Sequence, residues 1–127
     1  MNKERVLKLA DDLEADEKFV FDMGSFVDKL DDPAWYAKYA PAENIPENHC
    51  GTACCIAGYV SLVYVDPLTK SWVMAEVAQT YLGLTGEQAS ELFEVESDDV
   101  DLTDITRTQA VATLRNLAET GEVNWDL

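Results

Sequence analysis

Apolar residues recur at three- and four-residue steps near both ends of the chain. Val6, Leu7, Leu9 or Ala10, and Leu13 fall on one side of a helix that Asn2 can cap and that runs to about Ala15. Residues 17–30 carry two overlapping patterns. Phe19, Phe21 and Met23 alternate as in a strand, while Phe19, Met23, Phe26, Val27 and Leu30 recur at helical spacing. Pro33, Pro41 and Pro46 then mark residues 31–49 as a loop, which carries the aromatics Trp35, Tyr36 and Tyr39.

The second half reads more plainly. Thr52 stands as the cap of a helix from Ala53 to about Val65, apolar nearly all round and therefore expected to be central and buried. Asp66-Pro67 opens a further helix whose stripe is Val73, Val77, Tyr81 and Leu82, and Gly83 ends it. Thr85-Gly86-Glu87-Gln88 is a capping-box pattern before Ala89, Leu92 and Phe93, and Thr106 to Gln109 repeats it before Val111, Leu114, Leu117 and Ala118. Gly121 suits a left-handed C-cap, and Val123, Trp125 and Leu127 alternate like a short strand. The sum is a mainly α fold, a compact bundle of about four to six helices in a single domain spanning 1–127. Residues 19–23 and 123–127 leave room for a small two-stranded β element.

Charge changes the picture more than composition does. Hydrophobic residues make up 47% of the 127, enough for a real core, yet 25 acids stand against nine Lys and Arg for a formal charge of -16. Such a surface repels nucleic-acid phosphates and anionic membranes, and suits equally a basic surface on another protein or a chain kept soluble at high ionic strength. No export signal opens the chain and the longest apolar run, Cys54 to Val65, is too short to span a bilayer. A cytoplasmic protein is expected.

Between Ser71 and Thr106 there is no Lys or Arg, while Glu76, Glu87, Glu91, Glu94, Glu96, Asp98, Asp99, Asp101 and Asp104 all fall there. Glu87, Glu91 and Glu94 share one helical face, about 5–6 Å apart, a spacing that can imitate phosphates. The expected partner-binding set is therefore Glu87, Glu91, Glu94, Glu96, Asp98, Asp99 and Asp101. The plain alternative is a solvated acidic face. Calcium does not fit the run, because an EF-hand counted from Asp99 puts Asp104 at its glycine position and Ala110 at its glutamate position.

His49-Cys50-Gly51-Thr52-Ala53-Cys54-Cys55-Ile56-Ala57-Gly58 is the densest motif. Cys50, Gly51, Thr52, Cys55, Ala57, Gly58 and Tyr59 match a CGTxxCxAG stretch followed by an aromatic. The segment thereby resembles a family of small proteins in phages and their bacterial hosts, with weaker resemblance over the last two thirds of the chain. The resemblance implies a phage-type accessory protein and no particular activity.

Read physically, Cys50 before a helix start is a candidate nucleophile, but adjacent His49 points away from it in an extended segment. The spacing of the three cysteines does not converge on a metal, and small buried residues for close helix packing explain the motif as well. No phosphate-binding loop, dinucleotide fingerprint or catalytic triad is present, so no cofactor and no catalytic residue is expected. The sequence points to a non-enzymatic acidic binding protein, a phage-encoded inhibitor occupying a basic, nucleic-acid-binding site on a host or defence protein. One alternative is a binder or sponge for a small anionic ligand held by Trp35, Tyr36, Cys50, Gly51 and Thr52 at a bare helix N-terminus. Another is a thiol-dependent enzyme using Cys50.

Overall fold

In a computed structural model of the chain, residues 1–23, 27–29, 41–47, 50, 52–93 and 102–125 are described. Among them are five α-helices and a small mixed sheet. Helix α1 is Lys3–Ala15, and Asn2 caps it by accepting the Arg5 N–H at 3.2 Å. Strands β1, Val20–Phe21, and β2, Val27–Lys29, flank β3, Thr52–Cys54. Then follow α2, Ile56–Val60; α3, Met74–Leu82; α4, Gly86–Phe93; and α5, Arg107–Thr120. The mainly helical expectation holds. The β element has three strands instead of two.

The sheet sits differently from the sequence expectation. Residues 19–23 do supply a strand, but its partner is β3 and not the tail, whose residues 122–125 form no strand. Val20 pairs in parallel with Ala53 and Phe21 with Cys54, while Val27 pairs antiparallel with Cys54. Two further bonds extend the β1–β3 ladder at either end: Asp22 N–H to Cys54 O at 3.0 Å and Cys50 N–H to Lys18 O at 2.7 Å. Pairing satisfies backbone groups that an isolated helical turn at 52–54 would leave at its own terminus.

The helix expected over 53–65 is therefore shorter and starts later. Thr52 opens a strand, and the cap is Cys55, whose backbone is extended and whose Sγ accepts the Gly58 N–H at 3.5 Å. Ile56 to Val60 are wholly buried, as expected of a central element. After Val60 the winding widens into a π-helical turn, Ser61–Val65, closed by Asp66 N–H to Ser61 O at 2.8 Å, and Val63 and Val65 emerge into solvent. Asp66 caps a turn, accepting the Leu68 N–H, and not the next helix. That helix, α3, begins at Met74 and buries Met74, Ala78 and Leu82, one position on from the stripe expected.

The two capping boxes form as the sequence dictates. In α5, Thr106 Oγ1 accepts the Gln109 N–H and Gln109 Oε1 accepts the Thr106 N–H. Thr85 and Gln88 make the same exchange ahead of α4. Gly83 and Gly121 end α3 and α5 in the left-handed region, at φ 67° and 78°.

Helices α1 and α5 pack side by side over Val6, Leu9, Leu13, Ala110, Leu114 and Leu117, and a polar lock joins them to the sheet. Arg107 is buried at 7% exposure. Its guanidinium donates to Leu13 O at 2.9 Å and Phe19 O at 2.8 Å, and pairs with Asp16 at 3.4 Å. Fully buried Asn44 accepts the Arg107 N–H at 2.7 Å and donates to Ile105 O at 2.9 Å. Glu43 takes the Thr108 N–H at 2.9 Å, a bond that holds its carboxyl below the usual glutamate range. The free N–H groups of the first turn of α5 are thus paired from outside the helix.

Candidate functional site

The acids expected to bind a partner divide at Phe93. Glu94, Glu96, Asp98, Asp99 and Asp101 lie outside the described residues, whereas Glu87 and Glu91 are exposed on α4. A residue from the chain end joins them. After the Gly121 cap the chain turns back across α4, held by Gln88 Nε2 to Gly121 O at 2.8 Å and by Trp125 Nε1 to Glu91 O at 3.0 Å. Glu122 thereby meets Glu87 and Glu91 at a polar cleft of about 410 Å³, lined also by Thr85 and Gln88. Among the described residues, no Lys or Arg lines it. Sequence periodicity places Glu87 and Glu91 but misses Glu122, because what brings it there is a tertiary return. Trp125, an aromatic just past a C-cap glycine, is the signal in the sequence for that return.

Several acids of α1 are paired instead. Lys8 meets Asp12 at 2.6 Å, and Arg115 on α5 reaches Asp11 at 3.0 Å and Glu14 at 2.9 Å on α1. The Lys8 ammonium and the Tyr64 hydroxyl, both donating to Asp12, hold its carboxyl below the usual range. Arg115 lowers Glu14 likewise. Among the described residues, neither Lys nor Arg pairs with Glu87, Glu91 or Glu122.

The alternative ligand site loses its premise. Trp35, Tyr36 and Gly51, and with them His49 and Tyr39, lie outside the described residues. Cys50 is exposed and Thr52 half-buried, but Thr52 opens β3 and neither stands at the start of α2. No bare helix N-terminus meets them, since Cys55 caps α2 inside the core. Burial pushes the Cys55 thiol up to about 11 and the Cys54 thiol higher still, so neither is a ready thiolate. No group of three or more His, Cys, Asp or Glu among the described residues is arranged to hold a metal ion.

A second cleft, of about 440 Å³ and mostly apolar, lies between α1, α3 and the π-helical turn, lined by Arg5, Val65, Glu76, Val77, Thr80 and Tyr81. Aromatic rings run up to it. Phe19 meets Tyr59 edge-on at 6.0 Å, Tyr59 meets Tyr64 at 6.0 Å, and Tyr64 stacks on Tyr81 at 5.4 Å. The Arg5 guanidinium covers the Tyr81 ring at 4.2 Å. The Tyr64 hydroxyl is desolvated by burial and donates to the Asp12 carboxylate, and both push its pKa up.

No family model, curated protein or solved structure matches this chain. The resemblance at residues 50–59 rests on those residues alone. No helix among the described residues is long and apolar enough to cross a membrane.

Proposed function

We propose that the chain is a non-enzymatic acidic binding protein whose α4 face occupies a basic site on another protein. The observation that carries this reading is the cleft where Glu87, Glu91 and Glu122 meet with no Lys or Arg lining it among the described residues, whereas Asp11, Asp12 and Glu14 on α1 are paired. Charges one helical turn apart, about 6 Å, offer a lysine- or arginine-rich groove a repeat resembling a phosphate backbone. The concrete version is a DNA mimic: a phage-encoded anti-defence inhibitor that fills the nucleic-acid-binding groove of a host protein in the cytoplasm. The acids of 94–101 extend the same uninterrupted negative stretch in sequence.

Immobilised protein incubated with bacterial lysate tests the proposal. A nucleic-acid-binding protein should be retained at low salt and released at high salt, because screening acts on exposed charge pairs. Competition by duplex DNA for the captured protein is the second expected result. Capture that is insensitive to both salt and DNA would overturn the reading.

A further inference from the structure

The apolar cleft is the hollow half of a larger exposed surface. In the turn between the π-helical segment and α3, Leu68 and Trp72 are each 81% exposed, beside Val63 and Val65. These are the most exposed large apolar side chains among the described residues, and such a cluster marks a surface that meets something. Leu68 and Trp72 stand in the segment that joins Val65 to Glu76, both of which line the cleft, so the exposed side chains lie on the stretch of chain that borders the hollow.

Charge narrows what that something is. The molecule as a whole is formally -16, and a second copy is repelled almost everywhere on it. On this face the signs balance. Arg5 and Glu76 line the cleft together, Lys8 and Asp12 both contact Tyr64, and Asp66 and Lys70 stand in the turn that carries Leu68. A basic protein is drawn to the acidic cleft on α4 and gains nothing from a balanced face. An anionic membrane is repelled by the whole.

A two-fold contact uses the same patch twice, so a projection needs a hollow and each charge needs its opposite within one patch. Trp72 beside an apolar cleft of about 440 Å³, with one Arg and one Glu at its edge, meets that requirement. We infer that the 63–81 face is the interface of a homodimer, with Trp72 of each copy seated against the Arg5–Val65–Tyr81 cleft of the other.

Sedimentation equilibrium of the full chain over a range of concentrations tests the inference. A monomer–dimer equilibrium is expected, shifted towards dimer by added salt, since salt screens the repulsion of two acidic molecules while the apolar contact persists. Trp72→Asp and, separately, Thr80→Trp, which fills the hollow, should each weaken the dimer at least tenfold. Unchanged far-UV circular dichroism is expected in both, because the two positions are exposed. Glu87, Glu91 and Glu122 variants should dimerise as the wild type does, so this inference and the proposed function fail separately. A monomer at every concentration in high salt would overturn the inference, as would a dimer indifferent to both substitutions. So would a monomer that binds uncharged phosphatidylcholine vesicles through Trp72, which would give the face to a lipid surface.

Discussion

Arg107 is the residue on which most separate elements depend. Its guanidinium closes the C-terminus of α1 at Leu13 O and holds Phe19 O at the entry to β1, while its backbone N–H is taken by Asn44. Replacing it by Met keeps much of the volume but removes the guanidinium's bonds to Leu13 O and Phe19 O and its pairing with Asp16. Breaking a buried pair of this kind costs about 3 kcal/mol or more. Arg107→Met should accordingly shift the urea midpoint sharply down, and Arg107→Lys should recover little, since one ammonium cannot span both carbonyls. A midpoint unchanged in either variant would remove Arg107 from this role.

The cysteines separate just as sharply. Native alkylation followed by mass spectrometry should modify exposed Cys50 well before Cys54 and Cys55, whose thiols are buried and held protonated. Equal rates for Cys50 and Cys55 would contradict the placement of Cys55 as a buried helix cap.

At the scale of elements, local signals in the sequence carried through where the physics is local. Asn2, the two capping boxes and the glycines at 83 and 121 each satisfy or release backbone groups within one turn, and all stand where the sequence puts them. The two glycines are not equivalent. A Cβ at Gly121 meets nothing within 4 Å, so Gly121→Ala should cost only the left-handed strain, about 1 kcal/mol. At Gly83 a Cβ would also approach the Asn2 backbone nitrogen at 3.1 Å, where that N–H is bonded to Leu82 O. Gly83→Ala should therefore lower the melting temperature clearly more than Gly121→Ala, and the reverse order would contradict the docking of α1 on the end of α3.

Sequence periodicity failed where pairing partners are distant. Ala53 to Val65 reads as one apolar helix, and nothing local reveals that Ala53 and Cys54 pair with Val20 and Phe21 while its last turn widens and surfaces. Glu122 reached the acidic cleft by the same kind of non-local return. Leu68 and Trp72 carry no periodic signal, because they belong to no buried stripe.

For the whole molecule, the distribution of charge matters more than its total. Asp11, Asp12 and Glu14 on α1 are bound to Lys8 and Arg115, whereas Glu87, Glu91 and Glu122 meet no Lys or Arg among the described residues. A partner steered by that field is captured at a rate set mainly by the acids it approaches, whereas removal of charge elsewhere changes only the distant background. The most direct measurement compares two triple variants of equal net charge by stopped-flow association with a captured basic partner. One carries Glu87→Gln, Glu91→Gln and Glu122→Gln, and the other carries Glu4→Gln, Glu17→Gln and Glu47→Gln, all exposed positions. The first should slow association about tenfold or more at low salt with little change in dissociation, and the second should stay near the wild-type rate. Equal association rates for the two variants would show that acidity acts only in bulk, and would contradict a binding site on α4.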